Sequence, residues 1–154
     1  MCGPDTCTKP RGGALAVLNE PFSRPNSPEP AGGLRGDLSF HTPGKPKSMF
    51  ATHARITSRG DHDLRSLTDM VVVIHKSGDM TRNHQDCGFF HRLAFSDASV
   101  LQDGSALELA LQTPISLQVG DHGIIGRRVS VFCRSEMDNA LAEGIVGINF
   151  TNSL

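Results

Sequence analysis

An all-β fold, a Greek-key barrel or sandwich of about eight strands, is what this sequence predicts, on three observations. Apolar and polar residues alternate with a period of two over most of the chain from Leu34 onward. Gly, Pro, Asp and Ser punctuate that alternation at short intervals, as turns between short strands do. No segment carries a long apolar period of 3.6 residues, and Leu64–Met70 has room for a helical turn at most. Greek-key closure is one way for such a chain to remove its sheet edges.

The strands are expected in the following order. Ala14–Leu18 opens the packed region. In Leu34–His41, Leu34, Gly36, Leu38 and Phe40 alternate with Arg35, Asp37, Ser39 and His41. In Met49–Ile56, Phe50, Thr52, Ala54 and Ile56 alternate with Ala51, His53 and Arg55. Each pattern describes a strand with one buried face. Met70–Lys76 begins with a continuous apolar run, which suits a central strand covered on both sides. Phe89–Phe95 follows. Ser105–Gln112 sets Leu107, Leu109 and Leu111 against Glu108, Ala110 and Gln112. Ile124–Phe132 and Gly144–Phe150 complete the set.

Eight of the nine prolines precede Lys47, and residues Phe22–Gly33 read FSRPNSPEPAGG. Residues 1–33 are therefore expected to be a flexible Pro/Gly-rich segment that holds only the strand at 14–18. Residues 34–154 are expected to form the barrel domain, and 154 residues suffice for one real core. A net charge of −1 with scattered Lys and Arg offers no basic face for nucleic acid. Trp and Tyr are absent, which leaves few rings on which bases could stack. No apolar run approaches the roughly 20 residues of a membrane helix. The first residues, MCGPDTCTKPRGG, lack the apolar centre of a signal peptide, so an intracellular setting is expected. Cys2, Cys7, Cys87 and Cys133 then read as free thiols. The sequon Asn149-Phe150-Thr151 reads as chance in that setting.

No nucleophile elbow and no phosphate-binding glycine loop is present. The informative motifs lie elsewhere. Val73-Ile74-His75-Lys76-Ser77-Gly78-Asp79-Met80-Thr81 is one. Ile115-Ser116-Leu117, then Gly120-Asp121-His122, then Ile124-Ile125-Gly126-Arg127, is a second. Leu141-Ala142-Glu143-Gly144-Ile145-Val146-Gly147-Ile148 is a third, and Leu34–Phe40 a fourth. In that order and register they resemble the copper–zinc superoxide dismutases, with H-x-H-x-x-G-D-x-T on a central strand and a Gly-rich apolar segment near the end. Within that family the chain is most similar to the superoxide-dismutase-like proteins of poxviruses, which also pair a single His with Gly-Asp and shorten both long loops.

The resemblance implies a metal site that this chain does not complete. Copper in the family is held by four imidazoles, and zinc by three imidazoles and one carboxylate. Val73 stands at the first copper position and has no lone pair. His75 keeps the second, and Phe132 stands where the last would follow. His91 is the remaining candidate, as the bridging ligand. Only seven residues, RNHQDCG, separate Thr81 from Phe89, too few to supply a zinc loop. Ala140 replaces the anion-attracting Arg. Glu143 replaces the second disulfide Cys and leaves Cys87 without that partner. No catalytic residue, no cofactor-binding residue and no resident copper or zinc is therefore expected. His75, His91 and His84 are the candidates for a residual metal site. Read on its own, His75 is a hydrogen-bonded strand histidine, and Gly78, Asp79, Gly120 and Gly126 are turn and packing residues.

The family's dimer contacts use its first and last strands. On that likeness Gly144, Ile145, Gly147, Ile148 and Phe150 are the candidate interface. The expected function is that of a catalytically inactive viral homologue, in the host cytoplasm and in virus particles. It would form a homodimer, or a heterodimer with the host dismutase or its copper chaperone, and so alter superoxide metabolism. The alternatives are a residual copper enzyme or metal carrier, and a purely structural virion protein.

Overall fold

The computed structural model describes residues 12–21, 34–59, 64, 69–101 and 104–149. Nine strands lie within them: β1 (Ala14–Leu18), β2 (Gly36–His41), β3 (Phe50–Ser58), β4 (Met70–Ile74), β5 (His91–Ala94), β6 (Ser99–Leu101), β7 (Ala106–Ser116), β8 (Arg128–Cys133) and β9 (Ala142–Ile148). All neighbours pair antiparallel, in the order β5-β4-β8-β9-β1-β2-β3-β7-β6.

That order requires the sheet to curl. Laid flat at about 4.8 Å per strand, the two edges would stand nearly 40 Å apart. Yet β5 and β6 are those edges, and only Phe95–Ala98 separates them, with a 3-10 turn over Phe95–Asp97. At about 3.5 Å per residue such a link reaches less than about 20 Å. The sheet is therefore a rolled half-barrel, and its concave face makes the core. In register across it lie Val146, Ala16, Leu38, Ile56 and Leu107. Val72–Val131 and Ile74–Val129 continue this layer on β4 and β8. All nine of these residues are buried.

The architecture is the expected all-β one, with several differences of detail. β6 is a ninth strand, too short at three residues to show a period. Ile124–Arg127 is a turn, and β8 begins only at Arg128, because Gly126 has φ of 85° and ends any extended run there. Phe50, expected on the apolar face, is exposed, while Ala51 is buried. The register shifts between Ala51 and His53, where β7 passes through Pro114, which has no N–H to donate to a ladder. β2 is buried on both faces rather than one. Its polar side is covered by long side chains from the neighbouring strands and from Arg59: His41 Nε2 meets Glu108 at 3.1 Å, Arg55 Nη2 the same carboxylate oxygen at 3.0 Å, and Arg59 Nη2 meets Asp37 at 3.3 Å. The segments 1–11 and 22–33, Cys2, Cys7, Phe150 and most of the Leu64–Met70 turn lie outside the described residues.

Candidate functional site

The outer face of β4, β8 and β9 carries the positions that the sequence singles out. Val73 and Ser130 are cross-strand partners there, as are Val71 and Phe132, and Ser130 and Glu143. His75 follows directly on β4, its N–H donating to the Arg128 carbonyl at 2.8 Å. Period two sends all these side chains outward. Even so, His75, Arg128, Ser130, Phe132 and Glu143 are all buried. The connection from β4 to β5, residues 75–90, covers them, together with the turns after Cys133.

His75 sits in that cover with both ring nitrogens engaged. Nδ1 lies 2.9 Å from the Gly88 carbonyl, which can only accept, so Nδ1 carries the proton. Nε2, left with its lone pair, lies 2.9 Å from Ser130 Oγ and accepts from that hydroxyl. Burial holds this imidazole below its ordinary pKa, against the Gly88 hydrogen bond, which acts the other way. The ring is thus a neutral, satisfied, buried histidine. Its one ligand-competent atom is capped by Ser130.

The three candidate ligands are not brought together. His84 approaches His75, with ring centres 6.3 Å apart, but its Nε2 is 3.1 Å from the Asp138 carbonyl. Its ring also packs edge-on against Phe132, at 5.0 Å. His91 pairs with Ile74 and so shares the face of Ile74, opposite to that of His75. Strand parity separates it from the other two. Among the described residues no group of three or more His, Cys, Asp or Glu is arranged to hold a metal ion. A copper held by several imidazoles does not fit this set: one lone pair is capped, one histidine is turned away, and Phe132 and Val73 fill the remaining room.

Two arginines organise the site, in a role that sequence reasoning missed. Arg127 donates from Nε to the Gly123 carbonyl at 2.7 Å, from Nη1 to that of Lys76 at 2.8 Å, and from Nη2 to those of Gly120 and Asp121. Its guanidinium also lies 3.8 Å from the centre of the Phe90 ring. Arg128 turns the other way. It pairs with Glu143 through Nη2, and Nη1 reaches the carbonyls of Asp79 at 3.1 Å and Arg82 at 2.6 Å and the Cys87 sulfur at 3.4 Å. The signal available was position: Glu143 and Cys87 stand where the resemblance implies a disulfide. Cys87 and Cys133 are both free thiols.

Gly78 and Asp79 behave as turn residues. A Cβ on Gly78 would lie 2.1 Å from the Gly126 carbonyl oxygen, so the two motifs pack backbone on backbone. Asp79 accepts from the N–H and the hydroxyl of Thr81, which holds its carboxyl below the usual value.

Of the candidate interface residues, Ile145 is 37% exposed on the outer face, beside Val17 of β1 at 45%, whereas Ile148, 54% exposed, pairs with the buried Ala14 and so lies on the opposite face at the end of β9. Gly147 shares the face of Ile145, and a Cβ there would make only an ordinary contact, 3.8 Å from the Leu15 carbonyl oxygen. Gly144 does not belong to this face. It is buried, and a Cβ there would lie 2.4 Å from the Val17 carbonyl oxygen.

No protein-family model and no curated protein sequence matches the chain. Solved structures do match. A Glu-to-Ala mutant of Candida albicans superoxide dismutase 5 aligns over 95% of this chain and 97% of its own, with a TM-score of 0.55 and 9% identity. An Asp-to-Asn mutant of the same protein aligns over 92% and 94%, with a TM-score of 0.50 and 9% identity. The likeness is one of fold, and it runs nearly end to end: the chain is an all-β curled barrel of the copper–zinc superoxide dismutase type.

Proposed function

We propose that this chain is a non-enzymatic binding protein built on the superoxide dismutase barrel, with the outer face of β1 and β9 as its contact surface. The observation that carries this reading is the closure of His75, whose Nε2 is capped by Ser130 inside a buried shell. A redox metal that cycles between two states needs several imidazoles with free lone pairs in one place. The residues at this place serve packing and hydrogen bonding instead. Meanwhile Val17 and Ile145 keep an apolar surface exposed on that face. On the motif resemblance, the partner is a second copy, or the dismutase or copper chaperone of a host cell. The chain then acts as a viral decoy in the host cytoplasm or the virus particle, and alters superoxide handling without turnover.

Copper content and dismutase activity, measured on one preparation of the full chain, test the first half of this reading. The expected result is no copper-dependent turnover. Stoichiometric copper with activity that disappears in His75→Ala would overturn it, and would establish a residual enzyme. Light scattering of the chain, alone and mixed with a dimeric copper–zinc dismutase or its chaperone, tests the second half. A monomer that binds neither leaves a structural role as the better reading.

A further inference from the structure

The connection over the site, residues 75–90, has little of its own to hold it in place. Its only regular piece is the 3-10 turn His84–Asp86. Neither free thiol in the described residues ties it down by a disulfide. Arg127 holds the connection at its two ends, Lys76 and Phe90, and the attachments of its middle converge on one residue. The Arg128 N–H donates to the Ser77 carbonyl, and its guanidinium holds the carbonyls of Asp79 and Arg82 and touches the Cys87 sulfur. That guanidinium is 1% exposed and always charged, so it stays inside only with a counter-charge. Glu143 on β9, itself buried, supplies it.

We infer that Arg128 and Glu143 form a charge latch: Glu143 fixes the guanidinium, and the guanidinium keeps the β4–β5 connection shut over Cys87 and His75. A disulfide at this place would answer to the redox state of the surroundings; the latch does not. It answers to the integrity of one buried ion pair. It stands whether or not the β1–β9 face has a partner.

Alkylation of the folded, full-length protein by iodoacetamide, followed cysteine by cysteine through peptide masses, tests the latch. Cys87 is buried and reacts only when the connection opens, whereas Cys133 is half-buried and reports on the rest of the barrel. In Glu143→Gln, Cys87 should react at least about tenfold faster than in the unaltered chain, with Cys133 unchanged. The double variant Arg128→Leu/Glu143→Leu decides on its own if the single one does not fold. It removes both buried charges while keeping apolar packing, so the barrel should persist and Cys87 should still become reactive. A Cys87 rate in the double variant equal to that of the unaltered chain, or one that rises in step with Cys133, would overturn the latch.

Discussion

Arg128 and Glu143 show how much a single residue's setting decides here. Removing one member of a buried ion pair strands the other charge, at a cost of about 3–5 kcal/mol, whereas replacing both by apolar residues is often neutral. Glu143→Gln should therefore shift the urea midpoint sharply downward, and Arg128→Leu/Glu143→Leu much less. A double-variant midpoint as low as that of Glu143→Gln would count against this account of the pair. The buried histidines act at the same scale. Desolvation pushes the pKa of His75 and that of His41 below the ordinary 6.5, although Gly88 and Glu108 respectively pull them back up. The unfolded chain then takes up protons at these rings before the native state does. Their contribution to stability is full above pH 6.5 and is lost as the pH falls from there toward the folded values. The slope is at most about 1.4 kcal/mol per pH unit for each histidine. Urea midpoints between about pH 7.5 and pH 5 should fall on acidification. His75→Gln and His41→Gln should each flatten that fall, and an unchanged slope in both would remove this explanation.

At the scale of elements, the turns are as constrained as the strands. Gly78→Ala would drive a methyl group into the Gly126 carbonyl, so the β4–β5 connection and the turn before β8 must separate. Overpacking of that kind costs about 1–3 kcal/mol. Gly147→Ala, whose new Cβ would come no closer than 3.8 Å to the Leu15 carbonyl, should leave the thermal midpoint nearly unchanged. Comparing the two melting curves checks the difference. Elements were also the scale at which the sequence was most legible. Ala14–Leu18 has the expected bounds, and the Leu107–Leu109 alternation marks β7. β6 was not legible, because three residues carry no period. That Val73 and Phe132 share the outer face of β4 and β8 with His75 could be read from strand parity. The arginine latch could not, because Arg127-Arg128 looks like ordinary surface charge. Parity alone places Arg128 on the outer face, and only the covering connection, a tertiary event, turns that face into an interior.

For the whole molecule, the proposed contact surface makes the sharpest prediction. Ile145→Asp lies on the exposed face of β9, where a substitution typically changes stability by less than about 0.5 kcal/mol. It should leave folding intact and weaken any dimer or heterodimer by tenfold or more, about 1.4 kcal/mol, as read by light scattering or calorimetric titration. Unchanged association would place the contact elsewhere. The short link from β5 to β6 bears on the same question. It joins the two boundary strands of the sheet, of four and three residues, to each other. Open backbone at a sheet boundary is a template on which foreign strands grow, and short strands are one way that proteins blunt it. With both boundaries brief and tied head to tail, this chain offers little template for runaway strand addition. A partner of the kind proposed would meet its broad side instead, where encounters can end in a closed, countable assembly.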